Sequence, residues 1–140
     1  MAHIMLNILN MKSESQQKIA LAVWGNIISP VFDSTRMVLI AESIDGKVVS
    51  SRHEWLGPEM PYSRALRLSG WDIRVLICGA ISAGFASTIE VYGIEVIPFI
   101  SGEVQQVLDA YLNGTLTADV FHMPGFVGRG CRNRYRGGRR

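Results

Sequence analysis

Three short apolar runs constrain the fold more than any other feature of this sequence. They are Lys18–Trp24, Ile73–Cys78 and Ile94–Ile100. Runs this short and this continuously apolar are typical of strands buried on both faces, as in a parallel sheet. The second and third runs lead into segments with helical periodicity. This order predicts parallel strands joined by crossover helices, which is an α/β fold.

A β-hairpin is predicted between the first two apolar runs. Its arms, Arg36–Ile44 and Lys47–Trp55, flank Asp45-Gly46, a dipeptide suited to a tight two-residue turn. The second arm is more polar than the first, and we therefore place it at the edge of the sheet. Together with the three apolar strands, the hairpin predicts a five-stranded mixed sheet.

Three helices are predicted around this sheet. The first begins at Pro61 and ends near Gly70, because proline suits a first helical turn and glycine suits a helix end. The second has Ser82 as its N-cap and runs to Tyr92. The third covers residues 101–112 and is closed by Asn113-Gly114. With single helices between parallel strands, we expect helices on both faces of the sheet.

The charge of the chain is divided unevenly between a body and a tail. Residues 129–140 contain six arginines and no acidic residue, so the rest of the chain has eight basic and twelve acidic side chains. From residue 115 onward there is no apolar periodicity. We predict a poorly ordered N-terminal segment (residues 1–17), an α/β domain (residues 18–116) and a flexible Gly/Arg-rich tail (residues 117–140).

Cysteine usage and hydropathy favour a cytoplasmic protein. Cys78 lies in an apolar run and Cys131 lies in the tail, so we expect no structural disulfide, which suits a reducing compartment. No apolar run approaches the roughly 20 residues that a membrane helix needs. The N-terminus also lacks the basic and apolar regions of a signal peptide.

The carboxyl ends of the predicted parallel strands are the expected binding surface, because ligands of open α/β sheets bind there. These ends are residues 24–26, 78–82 and 99–102. The last two lead into helix N-termini, whose N–H groups suit an anion. The alternative is that the glycines at these ends only permit tight turns between strand and helix. The residues by themselves leave both interpretations open.

The sequence makes no positive case for an enzyme. A two-metal nuclease needs carboxylates on its central strands, and Lys18–Trp24 and Ile73–Cys78 have none. Walker A, dinucleotide-binding and nucleophile-elbow patterns are absent as well. No acid–base pair is placed, so an enzyme acting on a small anion is the least favoured hypothesis.

Metal-ligand spacing is also absent from the sequence: there is no CxxC, HxH or HExxH pattern. His53 is expected on an exposed face of the hairpin. Cys78 stands at a strand end beside a helix N-terminus, which would lower the pKa of an exposed thiol. The alternative for Cys78 is a small buried apolar side chain.

The tail permits three interpretations. Its arginines, glycines and Tyr135 could contact nucleic acid or another polyanion through salt-sensitive interactions. It could simply increase solubility. It could also fold over an anionic ligand held by the domain and bring Cys131 to it.

Three segments between about Lys18 and Gly130 carry a family resemblance: KIALAVWGNIISPVFDS, LICGAISAGFASTIEVYGIEVIPFISGEVQQVLDAYLNGTL and a tail that opens with MPGF. In these segments the chain resembles the dinitrogenase iron–molybdenum cofactor biosynthesis family, small proteins like NifX and the C-terminal domain of NifB. The resemblance implies a three-layer α/β/α fold with an RNase H-like motif. It also implies a non-catalytic protein that binds or carries an iron–sulfur or molybdenum-containing cluster.

The resemblance and the strand ends together give a predicted cluster site. Its cofactor-binding residues are Gly25, Asn26, Ser29, Asp33, Gly79, Ala80, Ile81 and Ser82. Its metal-binding residues are the two cysteines, Cys78 and Cys131. The expected partners are the cluster or its precursor and a protein of cofactor assembly, with no membrane and no nucleic acid.

Two departures from the family pattern lead to an alternative function. Many relatives carry a histidine in the loop after the first strand, whereas residues 30–34 here contain none. Relatives with this type of tail often have a cysteine where this chain has Phe126. The alternative is a regulatory or interaction protein that has lost cluster binding and contacts a partner or polyanion through its basic tail.

Overall fold

The computed structural model describes residues 16–57, 60–116 and 121. The strands are β1 (Gln16–Trp24), β2 (Ile27–Ile28), β3 (Met37–Ile44), β4 (Lys47–Trp55), β5 (Val75–Ile77) and β6 (Glu95–Ile97), and the helices are α1 (Pro61–Gly70), α2 (Ala83–Val91) and α3 (Val104–Asn113). A single 3₁₀ turn covers Phe32–Ser34. Apart from residues 16, 17 and 121, the predicted N-terminal segment and tail lie outside the described residues.

The sheet is mixed, as predicted. Its strand order is β4-β3-β1-β5-β6, with the two-residue β2 paired to the end of β1. β1 runs antiparallel to β3 and parallel to β5, and β5 runs parallel to β6. β4 is an edge strand, as its polar sequence predicts. β2 is the one strand that the sequence did not predict, and the prediction also made β5 and β6 too long.

The two faces of β1 bury different side chains, which produces three layers. Ile19, Leu21 and Val23 share a core with α3, whereas Ala20 and Ala22 face the core beneath α1 and α2. Because side chains alternate along a strand, one apolar run supplies both cores. The result is the predicted α/β/α arrangement, with one helix on one face and two on the other.

Local sequence signals explain the turns that join these elements. Asp45 and Gly46 both have positive φ, 55° and 80°, as a tight hairpin turn of this kind requires. Ser82 Oγ accepts a hydrogen bond from the backbone N–H of Phe85 at 3.3 Å and so caps α2. Gly114 ends α3 with a φ of 78°. None of the three helices in the described part of the chain has the length and apolar character needed to cross a membrane.

Candidate functional site

The β1–β3 connection (residues 25–36) is bonded to the segment that follows β5. Val31 and Ala80 form a parallel bridge. The Ala80 N–H donates to Pro30 O at 2.8 Å, and the Phe32 N–H donates to Ala80 O at 2.7 Å. This contact continues the sheet beyond the end of β5. It therefore holds the β1–β3 connection at the carboxyl ends of the parallel strands, where the site is predicted.

Gly79 is required by the closeness of this contact. A Cβ at position 79 would lie 2.4 Å from Pro30 O and 2.5 Å from Ser29 O. Both atoms belong to the backbone, so neither can move aside as a flexible side chain could. Gly79 thus has a specific packing role, which is to let two backbone segments approach each other.

Both helix N-termini at this edge have protein acceptors. Asp33 Oδ1 accepts a hydrogen bond from the Ser82 N–H at 3.1 Å, which brings a carboxylate to the start of α2. At α3, Asn26 O accepts from the Val104 N–H at 2.8 Å. A negative charge is favourable at such positions. The sequence predicted an anionic ligand at these helix N-termini. In this conformation the carboxylate of Asp33 supplies the negative charge at the N-terminus of α2.

Cys78 lies in the core and not at the surface. Its exposed fraction is 0%, and it packs with the residues beneath α1 and α2. Burial, and secondarily the charge of Asp33, raises the pKa of the Cys78 thiol to about 12. The structure thus has the buried alternative for Cys78, and the condition for a lowered pKa, an exposed thiol, is not met because the β1–β3 connection covers the end of β5. Cys131 lies outside the described residues.

A pocket of about 740 Å³ opens beside the β1–β3 connection. It lies where β1 ends and β3 begins, on the sheet face that also carries α3. Its lining consists of Val23, Trp24, Gly25, Ser29, Pro30, Val31, Ser34, Thr35, Arg36, Met37 and His53. Gly25 and Ser29 are the two predicted site residues in this lining. The remaining described ones, Asn26, Asp33, Cys78, Gly79, Ala80, Ile81 and Ser82, are outside it.

The lining of the pocket is basic. Among the described residues that line it, Arg36 and His53 are the charged or titratable ones, and none is a carboxylate. Both residues come from the open end of the hairpin, where Met37 pairs with Trp55 and Leu39 pairs with His53 on adjacent strands. The Arg36 guanidinium carbon lies 6.0 Å from the centre of the Trp55 ring. Sequence reasoning missed this pocket because Arg36 and His53 come from different arms of the hairpin.

Arg64 of α1 fixes the β1–β3 connection from the opposite face of the sheet. Its side chain is 1% exposed and donates to Phe32 O at 2.8 Å and to Gly57 O at 2.6 Å. The guanidinium carbon lies 5.2 Å from the Phe32 ring centre and 5.6 Å from that of Phe85. These contacts hold the 3₁₀ turn, and with it the wall of the pocket.

Two hydroxyl groups hold the pocket wall from inside. Thr35 Oγ1 lies 2.8 Å from both Ser29 Oγ and Val31 O. Ser29 and Thr35 are 7% and 3% exposed, and their hydroxyl groups bond to each other. Ser29 thus shapes the pocket. Among the described residues, no three His, Cys, Asp or Glu side chains come together in a way that could hold a metal ion.

Comparison with protein families matches residues 16–114 to the model described as dinitrogenase iron-molybdenum cofactor. The match covers both cores and the complete β1–β3 connection. A comparison with curated proteins gave no match.

Several solved structures share this fold, and three of them are compared with this chain. The apo form of the orange protein from Desulfovibrio gigas is 17% identical with a TM-score of 0.61, over 76% of this chain and 95% of that one. A protein from Methanocaldococcus jannaschii described as a candidate dinitrogenase is 19% identical with a TM-score of 0.59, over 71% and 91%. A protein from Thermotoga described as a candidate NifB protein is 18% identical with a TM-score of 0.58, over 81% and 99%.

Proposed function

The chain belongs to the dinitrogenase iron–molybdenum cofactor family, whose model spans residues 16–114, and we propose that it is a non-catalytic binding or carrier protein. Its cargo is an iron–sulfur or molybdenum-containing cluster, or the precursor of one, in metal-cofactor biosynthesis. It works in the cytoplasm and exchanges this cargo with a protein of cofactor assembly.

The observation that carries this proposal is the basic pocket at the carboxyl end of β1. Clusters of this kind are anionic, and the lining offers Arg36 and His53 without a carboxylate. A volume of about 740 Å³ lies within the usual range of roughly 300–1,000 Å³ for small-molecule sites. The pocket therefore has the size and the charge to receive a multi-atom anion.

Carriage in this pocket does not need the thiol of Cys78. A thiol with a pKa of about 12 stays protonated near neutral pH, and only a thiolate is a good metal ligand. Charge and hydrogen bonding then hold the cargo, which suits a protein that must also release it. The predicted strand-end residues outside the lining act by supporting the β1–β3 connection.

Anaerobic reconstitution tests the proposal. The purified chain is incubated with iron and sulfide or, in a second sample, with thiomolybdate; each sample is desalted and examined by visible absorption and by elemental analysis for Fe and Mo. We expect a protein-bound chromophore with stoichiometric metal. A sample unfolded in urea is the control, because it retains both cysteines but lacks the pocket. Background metal in the folded protein, or equal metal in the two samples, would contradict the proposal.

The burial of Cys78 favours one alternative, a regulatory or interaction protein that has lost cluster binding. In that case the six arginines of residues 129–140 make the contact with a partner or polyanion. Binding to heparin as a model polyanion is measured with the full chain and with a chain ending at His122. The alternative predicts that truncation abolishes binding while the full chain takes up no metal. Unchanged binding after truncation would rule it out.

A further inference from the structure

Arg36 and His53 are exposed residues of the pocket lining that come from two different parts of the hairpin. Arg36 precedes β3 and His53 lies on β4. An imidazole ring offers an N–H donor in either protonation state, and a guanidinium group offers several donors in a fixed plane. These two residue types can therefore offer hydrogen bonds to an anion in the pocket.

The rest of the lining is largely apolar. Val23, Trp24 and Met37 belong to it, and Pro30 and Val31 close one side. A strongly hydrated anion would lose water against these walls without compensation. Guanidinium groups are themselves weakly hydrated, and methionine is polarizable. These properties favour an anion whose surface is soft and poorly hydrated over a compact oxyanion of the same charge.

The hydroxyl groups nearest to the pocket strengthen this preference. Ser29 and Thr35 are buried and bond to each other at 2.8 Å, so their hydroxyl groups are engaged within the wall. A ligand with several oxygen acceptors needs many donors. The donors left for it come chiefly from Arg36 and His53, with the exposed Ser34 beside them.

We propose that Arg36 and His53 are the charge-recognition pair of this pocket, and that the pocket selects a multiply charged anion with sulfur at its surface over the corresponding oxyanion. This deepens the proposed function and rests on it for the identity of the physiological cargo. The selectivity itself requires no metal and no thiolate bond.

Two pairs of probes test the selectivity. Thiosulfate and sulfate carry the same charge and differ in one sulfur atom, and tetrathiomolybdate and molybdate extend the comparison to larger anions. Dissociation constants are measured by NMR titration for the first pair and by anaerobic calorimetry for the second. We expect the sulfur-containing member of each pair to bind more tightly by about tenfold, which corresponds to roughly 1.4 kcal/mol. Equal binding within both pairs would overturn the selectivity.

Variants test the assignment of the residues. Arg36→Gln and His53→Gln should each weaken thiosulfate binding by about tenfold, and Arg74→Gln should leave it unchanged. Arg74 is an exposed arginine just before β5, at the opposite end of that strand from the predicted site. Urea unfolding of each variant verifies that the fold is retained. Losses no larger than that of Arg74→Gln would overturn the assignment.

Failure of this inference is distinguishable from failure of the carrier function. A chain that is reconstituted with iron and sulfide equally well with and without Arg36 and His53 would leave the carrier function standing and refute the recognition pair. A chain that selects thiosulfate through both residues but takes up no metal would support the recognition pair and refute the carrier function.

Discussion

Replacing Gly79 with alanine should destabilise the protein through a single, well-defined collision. The added Cβ would lie 2.4 Å from Pro30 O, whereas ordinary van der Waals contact begins at 3.4 Å. The backbone of residues 29–31 must therefore retreat by about 1 Å. That movement acts on the hydrogen bonds from the Ala80 N–H to Pro30 O and from the Phe32 N–H to Ala80 O.

The cost of this substitution can be worked out from two limits. If the connection stays in place, overpacking costs about 1–3 kcal/mol. If it moves away, the two hydrogen bonds are lost at about 0.5–1.5 kcal/mol each. Because either response costs about 1–3 kcal/mol, a mixture of the two gives an expected loss of about 1–3 kcal/mol, a large share of the roughly 5–15 kcal/mol that stabilises a typical domain.

Urea unfolding followed by circular dichroism measures this loss, and Gly84→Ala is the matched control. Gly84 lies in the first turn of α2, and a Cβ there would meet nothing within 4 Å. Alanine is the better helix former by up to about 1 kcal/mol, so this variant should gain stability. The same Gly-to-Ala substitution should thus lower the free energy of unfolding at position 79 and raise it at position 84. A loss below about 0.5 kcal/mol for Gly79→Ala would refute the collision argument.

Four further predictions concern other parts of the fold. Arg64→Met should reduce the free energy of unfolding by about 2–4 kcal/mol, because Gly57 O and Phe32 O lose a charged donor; an unchanged value in urea would contradict this. In a Cys131→Ser variant, Cys78 should resist Ellman's reagent at pH 8 until the protein is unfolded, and prompt labelling would show that it is accessible. Because burial raises the pKa of Cys78 from 9.0 to about 12, stability present below pH 9 should decrease as pH rises towards 12. Gly114→Ala should cost about 1 kcal/mol, because φ is 78° at that helix end; a calorimetric melting temperature equal to that of the wild type would refute it.

Most of the fold could be predicted from the sequence because its signals are local. The Asp45-Gly46 turn and the short apolar runs determine the hairpin and the central strands within windows of a few residues. Strand length was harder, because Ile73 and Ile94 are buried next to the strands without belonging to them. β2 was missed because two residues carry no periodicity.

The site was harder to predict because one bulge decides which side chains line it. The register of β3 and β4 shifts between Glu42 and Ser43. Counting outward from the turn without this shift would pair Leu39 with Arg52 and turn His53 to the opposite face. With the bulge, His53 pairs with Leu39 and reaches the pocket. A bulge of this kind leaves no distinct signal in the sequence.

The burial of Cys78 and Arg64 depends on contacts between distant parts of the chain. Cys78 stands at a strand end, and the general tendency of cysteine to be buried favours a buried side chain without showing what would cover it. It is covered because the β1–β3 connection, which belongs to the first half of the chain, bonds to Ala80. Arg64 is buried for the same reason, since its acceptor Phe32 O lies in that connection. Such long-range pairings are not encoded in local composition.

The bridge between Val31 and Ala80 makes the shape of the pocket depend on the order in which the parts of the chain fold. The lining residues that the structure describes all come from the first half of the chain, yet the β1–β3 connection is held by segments that follow β5. A folding intermediate with only β1 and the hairpin would contain all the lining residues without the restraint that shapes them. If the protein has the proposed carrier function, its cargo should therefore bind only after both halves have met, and by mass action this binding would stabilise the complete domain.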